Sequence, residues 1–414
     1  ADRFKYAEVT RMEVRFERCC GIDVHKKKVV ACLLTGRKKE IREFGTMTDQ
    51  LLTMCQWLKE NGCDVVAMES TGVYWKPIYN LLEEEGFKQI VGNAQHMKAV
   101  PGRKTDVKDS EWIADLVRHG LIQASYIPSR EQRELREMVR YRQSLVEERA
   151  RELNRVQAVL EGANIKLSSV VSDINGQTAL SILQAMAKGE TDARRLSSLA
   201  KGSLVAKSEE LTRALQGTVG EHQQKMIAHQ LHHIDCLNQE IALLDEDVKN
   251  KTEDAEPQIE LLDEIPGIAR RSAERILAET GVRMEQFPSA AHLCSWAGLT
   301  PGCNESAGKR KPARLRKGDV FLKTIMVECA LAAIRNKKSF WFAKFSKIAP
   351  RRGGKKATIA VARAMLVAIY HMLKDNQPFH DLGADYYFTL DAQRIKNRHI
   401  AALKRLGFDV VLPT

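Results

Sequence analysis

The stretch CCGIDVHKKKVVACLLT, residues 19–35, decides how the first part of this chain folds. It reads as two β runs joined by a short basic turn, each rich in β-branched and apolar residues. In the first run Cys20, Ile22 and Val24 alternate with Gly21, Asp23 and His25, so one side is apolar and the other carries an acid in mid-strand. An acid there is costly unless it is exposed or bound to something. Working outward, a third run follows at IREFGT, an amphipathic segment spans Asp49 to Glu60, and DVVAMES is an apolar strand closed by Glu69. Next come a helix from Tyr74 to Glu85, a short strand KQIVGN, and KTDVKDSEWIADL, a helix start with Asp106 and Asp109 three positions apart. That spacing puts both carboxylates on one helix face. Acids in a first helical turn also favour the helix dipole, with Thr105 as an N-cap, so the pair alone does not declare a function.

The predicted order β-β-β-α-β-α-β-α is the one a ribonuclease H-like domain uses, with acids from the first strand, the fourth strand and a late helix converging at one sheet edge. Asp23, Glu69, Asp106 and Asp109 occupy those places. Two Mg²⁺ ions about 4 Å apart around one phosphate need several shared hard oxygen ligands, which accounts for the number of acids. His25 and Glu111 either assist or are simply exposed.

The 414-residue chain is long enough for two or three domains, and its formal charge of +12 favours a polyanionic partner. No apolar run is read as a membrane-spanning helix, and no signal peptide is read at the start. Nine cysteines without a CxxC pair fit a reducing cytosol rather than disulfides or structural zinc. His229, His232 and His233 are read as helix surface rather than metal ligands.

From Arg130 to Leu160, Leu135, Val139, Val146, Leu153, Val156 and Leu160 form a heptad-like seam with Arg142 and Arg149 between them. Ile227, Leu231, Ile234 and Ile241 form a second, interrupted by Asn238. Either the two seams pair within one chain or they form an intermolecular coiled coil; dimerisation is the preferred reading. The segment between them reads as a small helical cluster. Farther on, LLDEIPGIARRSAERILAETG, residues 261–281, predicts helix, turn at Pro266-Gly267, and helix from near Ala269: either a helix-hairpin-helix that meets phosphate or a plain packed turn. Lys309, Arg310, Lys311, Arg314, Arg316 and Lys317 open a basic run that continues to Lys356, interrupted by Phe340, Trp341, Phe342 and Phe345. The charges point to nucleic acid, the aromatics more to a core than to a platform for bases.

Three segments, GIDVHKKKVVACLL, AMESTGVYWKPIYNLLE and GRKTDVKDSEWIADL, resemble the DEDD-type insertion-sequence transposases, the bridge-RNA-guided recombinases that include the Piv-like invertases. CSWAGLTPGCNESAGKRKPARLRKGDVFLKTIMVECALAAIR, residues 294–335, resembles the same family, with a Gly-Leu-x-Pro turn, a serine among small residues, and Lys-Gly before a helix. The resemblance implies an RuvC-like α/β domain, a helical coiled-coil region and a mainly α-helical transposase domain of helix-hairpin-helix character. It makes the two aspartates the last letters of DEDD and gives Ser306 the place of the nucleophile. Here Ala307 precedes Gly308 where the family commonly has Gly directly after the serine, and Cys303 lies close by as another candidate thiol or a small buried residue.

The expected organisation is an extension at 1–18, the RuvC-like domain at 19–128, the coiled-coil and dimerisation region at 129–255, the serine-bearing DNA-binding domain at 256–375, and a tail at 376–414. The function implied is a cytoplasmic, Mg²⁺-dependent, RNA-guided site-specific recombinase. It would hold a structured guide RNA with donor and target DNA, as dimers assembling into a tetramer, without a membrane. Its rivals are a metal-dependent junction nuclease without serine catalysis and a non-catalytic nucleic-acid-binding regulator.

Overall fold

The computed structural model describes residues 13–70, 72–92, 109–302, 305–306, 309–310 and 314–410. The chain divides into two compact units, residues 1–127 and 128–414. The first is built on a five-stranded mixed sheet: β1 (Arg18–Val24), β2 (Lys28–Thr35), β3 (Lys38–Gly45), β4 (Val65–Glu69) and β5 (Lys88–Gly92), in the order β3-β2-β1-β4-β5. The hairpin pairs β2 with β1 and β3 are antiparallel, while β1-β4 and β4-β5 are parallel. Crossover helices supply those parallel connections, as they must when strands run the same way.

Strand alternation sorts the two sheet faces. Cys20, Ile22, Val66 and Met68 bury against α1 (Thr48–Glu60) and α2 (Trp75–Glu84). Cys19, Val65 and Ala67 bury on the opposite face against α3 (Asp109–Arg118), through Ile113, Ala114, Leu116 and Val117. The helix α1 earns its place through Leu51, Met54, Cys55, Trp57 and Leu58, whose three- and four-residue steps make one apolar stripe. Each large side chain so buried contributes about 1.5–3 kcal/mol.

In the second unit α4 (Arg130–Gly162) starts at an N-cap, Ser129, whose side chain accepts from Gln132 N. It runs antiparallel to α8 (Glu221–Lys251), as the cross-links show: Glu134 to Lys251 at 2.9 Å, Arg142 to Asp245, Arg149 to Asn238 at 2.7 Å, and Glu152 to His233 at 3.4 Å. Of the two pairings expected for the seams, the one within the chain is therefore the one formed. Asn238 and the seam arginines are matched to each other and to Asp245 across it. Between these helices α5 (Gln177–Ala187), α6 (Ala193–Ser197) and α7 (Ser208–Ala214) cluster over Val156, Leu160, Ile227 and Leu231. His229 and His232 are exposed on α8.

A separate core gathers α9 (Glu256–Asp263), α10 (Arg270–Thr280), α11 (Ala290–Trp296), then, beyond the short strands β6 (Glu305–Ser306) and β7 (Lys309–Arg310), α12 (Val320–Ala333), α13 (Phe340–Arg352) and α14 (Gly354–Asp375). The turn between α9 and α10 carries Ile265 and Ile268 into this core. Gly267 has φ +94°, and a Cβ there would stand 2.6 Å from Ala333 N and Cys329 O, so the turn is wedged against α12. One sequence reading is corrected: Gly354–Asp375 is by length and composition apolar enough to cross a membrane. Its Val361, Ala362, Met365, Leu366 and Ile369 are buried at the centre of this core, which explains the apolar run without a bilayer. Two aromatics of α13 pack inward: Trp341 is buried and stacks on Phe379, and the half-buried Phe340 stacks on Tyr387. Tyr387 belongs to α15 (Tyr386–Arg405), a helix for which the tail gave no motif.

Candidate functional site

Strand parity places the acids of the first unit. Cys19 and Val65 face α3, so Gly21, Asp23, Ala67 and Glu69 face it too. The register pairs Ile22 with Met68, which sets Asp23 and Glu69 side by side one step beyond. Gly21 decides how close the helix comes: a Cβ there would lie 2.2 Å from Ala114 N and 2.3 Å from Ser110 O. With only hydrogen at that position the α3 backbone sits directly on β1, and its first residue, Asp109, reaches the same edge. Both Asp109 and Glu69 bear on the charge of Asp23. Burial pushes the Asp23 carboxyl above its ordinary range; His25 opposes this, and the negative charges of Asp109 and Glu69 add to it.

The other two side chains left open by the sequence are engaged differently. His25 Nε2 lies 3.0 Å from Asp23 Oδ2, while Glu111 is tied to Lys39 at 3.0 Å and so turned to the sheet's β3 side. Asp106 and the proposed N-cap Thr105 lie outside the described residues. The three described acids are hard oxygen donors, the type that suits Mg²⁺ or Mn²⁺ and disfavours zinc. Among the described residues, no group of three His, Cys, Asp or Glu side chains by itself could hold a metal ion. The donor chemistry fits a hard divalent cation.

In the second unit, Ser306 lies in β6, paired antiparallel with β7: Glu305 opposite Arg310, and Ser306 opposite Lys309. The backbone here is a short hairpin. Its neck is zipped by Gly302 N to Arg314 O at 2.9 Å, Arg316 N to Thr300 O at 3.1 Å, and Asp319 N to Trp296 O at 2.9 Å. The side chains of Ser306, Lys309 and Arg310, and all of Cys303, Ala307, Gly308 and Lys311, lie outside the described residues. Arg314, Arg316 and Lys317 are exposed along the returning arm.

A mixed-sheet domain followed by a mostly helical region fits a DEDD transposase. Residues 20–165 match a DEDD transposase model of the IS110 type, described as "Transposase", and residues 259–347 match one described as "Transposase IS116/IS110/IS902 family". A "Probable family 20 transposase" of Pseudomonas aeruginosa is 24% identical over 320 residues, covering 76% of this chain and 80% of that protein. The chain belongs to the IS110 family of transposases, enzymes of mobile elements. Its first unit carries the RuvC-like DEDD domain.

Proposed function

We propose that this chain cuts and rejoins DNA strands for a mobile element, with Asp23, Glu69, Asp106 and Asp109 as its metal-binding acids and Ser306 as its nucleophile. The observation that carries the proposal is the convergence of Asp23, Glu69 and Asp109 on one sheet face. Burial raises the cost of ionising Asp23, and the negative charges of Asp109 and Glu69 add to it. A divalent cation, Mg²⁺ by donor type, would supply the compensating charge and polarise a scissile phosphate. In the covalent step the Ser306 hydroxyl loses its proton, its oxygen bonds to phosphorus, and the strand's P–O bond breaks to release a hydroxyl end. The phosphodiester energy is kept in the protein-DNA link, so a second hydroxyl can reverse the exchange and rejoin strands. Exposed Arg314, Arg316 and Lys317 beside the hairpin, with Lys309, Arg310 and Lys311 in it, would hold the DNA phosphates and offset charge at the reacting one.

The family resemblance supports further assignments: a structured guide RNA that pairs with donor and target DNA, a cytoplasmic enzyme, and dimers that assemble into a tetramer. A second reading, a metal-dependent junction nuclease in which water replaces the serine, is favoured by Asp23, Glu69 and Asp109 being placed by the first unit alone, independently of the hairpin.

The deciding experiment compares wild type, Ser306→Ala and Asp23→Asn expressed in cells, denatured, and analysed for covalently attached DNA and co-purifying RNA. Adducts present only in the wild type, with a discrete RNA in all three, are expected. DNA breaks formed without an adduct and unchanged by Ser306→Ala would establish the nuclease instead.

A further inference from the structure

The hairpin that carries Ser306 is not held by its own strands alone. Two arginines one turn apart on α4, Arg136 and Arg140, reach across to the elements that enter and leave it. Arg140 makes a two-pronged bond to Glu279 at the end of α10, Nε to Oε1 and Nη2 to Oε2, both 2.8 Å. The same guanidinium reaches Asp319 Oδ2 at 3.2 Å and lies 4.0 Å from the centre of the Phe321 ring. Asp319 is the N-cap of α12, its Oδ1 accepting from Leu322 N at 2.7 Å, and is also where the hairpin's returning arm ends. Arg136 binds the carbonyls of Ala278 and Glu279, approaches the Glu279 carboxylate at 3.2 Å, and stands over the Trp296 ring, where the outgoing arm begins.

The carboxylate of Glu279 is 1% exposed, so it is a fixed point rather than a surface partner. The neck itself is pinched: a Cβ on Gly318 would be 2.3 Å from Gly298 N and 2.5 Å from Trp296 O. Both arms thus leave one tight junction, which meets α4 through Arg140 on Asp319 and Phe321 and Arg136 on Trp296, while the buried Glu279 carboxylate at the end of α10 holds both guanidinium groups in place. Such forks fix angle as well as distance, which a lysine's single ammonium does not.

We propose that Arg140, with Arg136 and Glu279, is a positioning group for Ser306: it sets the angle at which the hairpin leaves the helical core. This rests on the reading of Ser306 as the nucleophile. In this role neither arginine acts on the reacting atoms themselves. Their effect is on the fraction of time the serine spends at attacking distance, where a displacement of about 1 Å can cost about 100-fold in rate.

The test uses the full chain and two readouts. One is the rate of tryptic cleavage between Lys309 and Lys317 under native conditions. The other is covalent DNA recovered from expressing cells, against RNA and DNA retained non-covalently. Arg140→Ala is expected to speed hairpin cleavage about tenfold by local opening, and to lower adducts about 100-fold while non-covalent retention stays unchanged. Leu183→Ala, in the separate cluster around α5, serves as a control of comparable loss in Tm. An Arg140→Ala hairpin as resistant to trypsin as the wild type, or a Leu183→Ala hairpin equally sensitised, overturns the proposal. Should Arg140→Ala not fold, Arg140→Lys, which keeps the charge and loses the fork, takes its place with the same expectations. Adducts that persist in Ser306→Ala would refute the nucleophile assignment instead, and the tryptic rates would still judge the clamp.

Discussion

Gly21 shows how one missing atom can define a site. The acids are useful only if α3 lies close enough to β1 for Asp109 to share an edge with Asp23 and Glu69, and that approach leaves no room for a methyl group. Ala114 N and Ser110 O are backbone atoms of a helix packed along its length, so they cannot swing aside as a flexible side chain would. Gly21→Ala is therefore expected to push α3 outward, costing about 1–3 kcal/mol as overpacking does. Because the shift acts at the acid cluster, adduct formation should fall further than that stability loss predicts. Chemical denaturation and adduct capture on the same variant measure both, and an unchanged denaturation midpoint would show that α3 does not press on Gly21. His25 adds a second local constraint: its ring holds Asp23 Oδ2 at 3.0 Å and opposes the effect of burial on that carboxyl.

The long helices α4 and α8 illustrate what pattern alone leaves undecided. A heptad-like seam says that a helix will pack against another helix, and says nothing of whether the partner lies in the same chain. Here the choice is made by charged and polar side chains off the apolar positions: Glu134 with Lys251, Arg142 with Asp245, Arg149 with Asn238. Ile234, fully buried against this pair and the α5 cluster, reports on it. Ile234→Ala should cost about 2–5 kcal/mol, with a Tm that depends on protein concentration no more and no less than the wild type's. A change in that dependence in the variant would mean the seam is shared between chains. The strands and helices of the first unit were readable because period-two and period-3.6 patterns were clean, as at Cys20, Ile22, Val24 and along α1. Glu69 was singled out as a candidate because a charge closes an otherwise apolar strand, and the register sets it beside Asp23. The network of Arg136, Arg140, Glu279 and Asp319 was not legible, since those residues are 143 positions apart at Arg136 and Glu279 and look individually like surface charges. The tail helix α15 was missed because its apolar residues, Phe388, Ile395 and Leu403 among them, stand exposed and form no core signal.

Charge is the property that links both units to their expected partner. A formal +12 does not say where polyanions bind; the fold narrows the choice by showing which cations are already occupied. Lys344 lies near the Tyr387 hydroxyl and over the Phe340 ring, and Lys347 stands 4.3 Å from the Tyr387 ring centre, so both serve the docking of α15. Arg352, Lys355 and Lys356, at the corner where α13 turns into α14, are exposed, as are Arg314 and Lys317 below the hairpin. If these corners meet phosphates, each contact releases counterions and adds about 0.9 to the slope of log affinity against log salt for duplex DNA. The triple variant Arg352→Ala, Lys355→Ala, Lys356→Ala should then lower that slope by about 2.7 for a random-sequence duplex. A Lys344→Ala, Lys347→Ala variant should leave the slope nearly unchanged while lowering Tm through loss of the α15 contacts. Fluorescence anisotropy across a salt series measures both, and equal slopes for the triple variant and the wild type would remove this corner from the nucleic-acid surface.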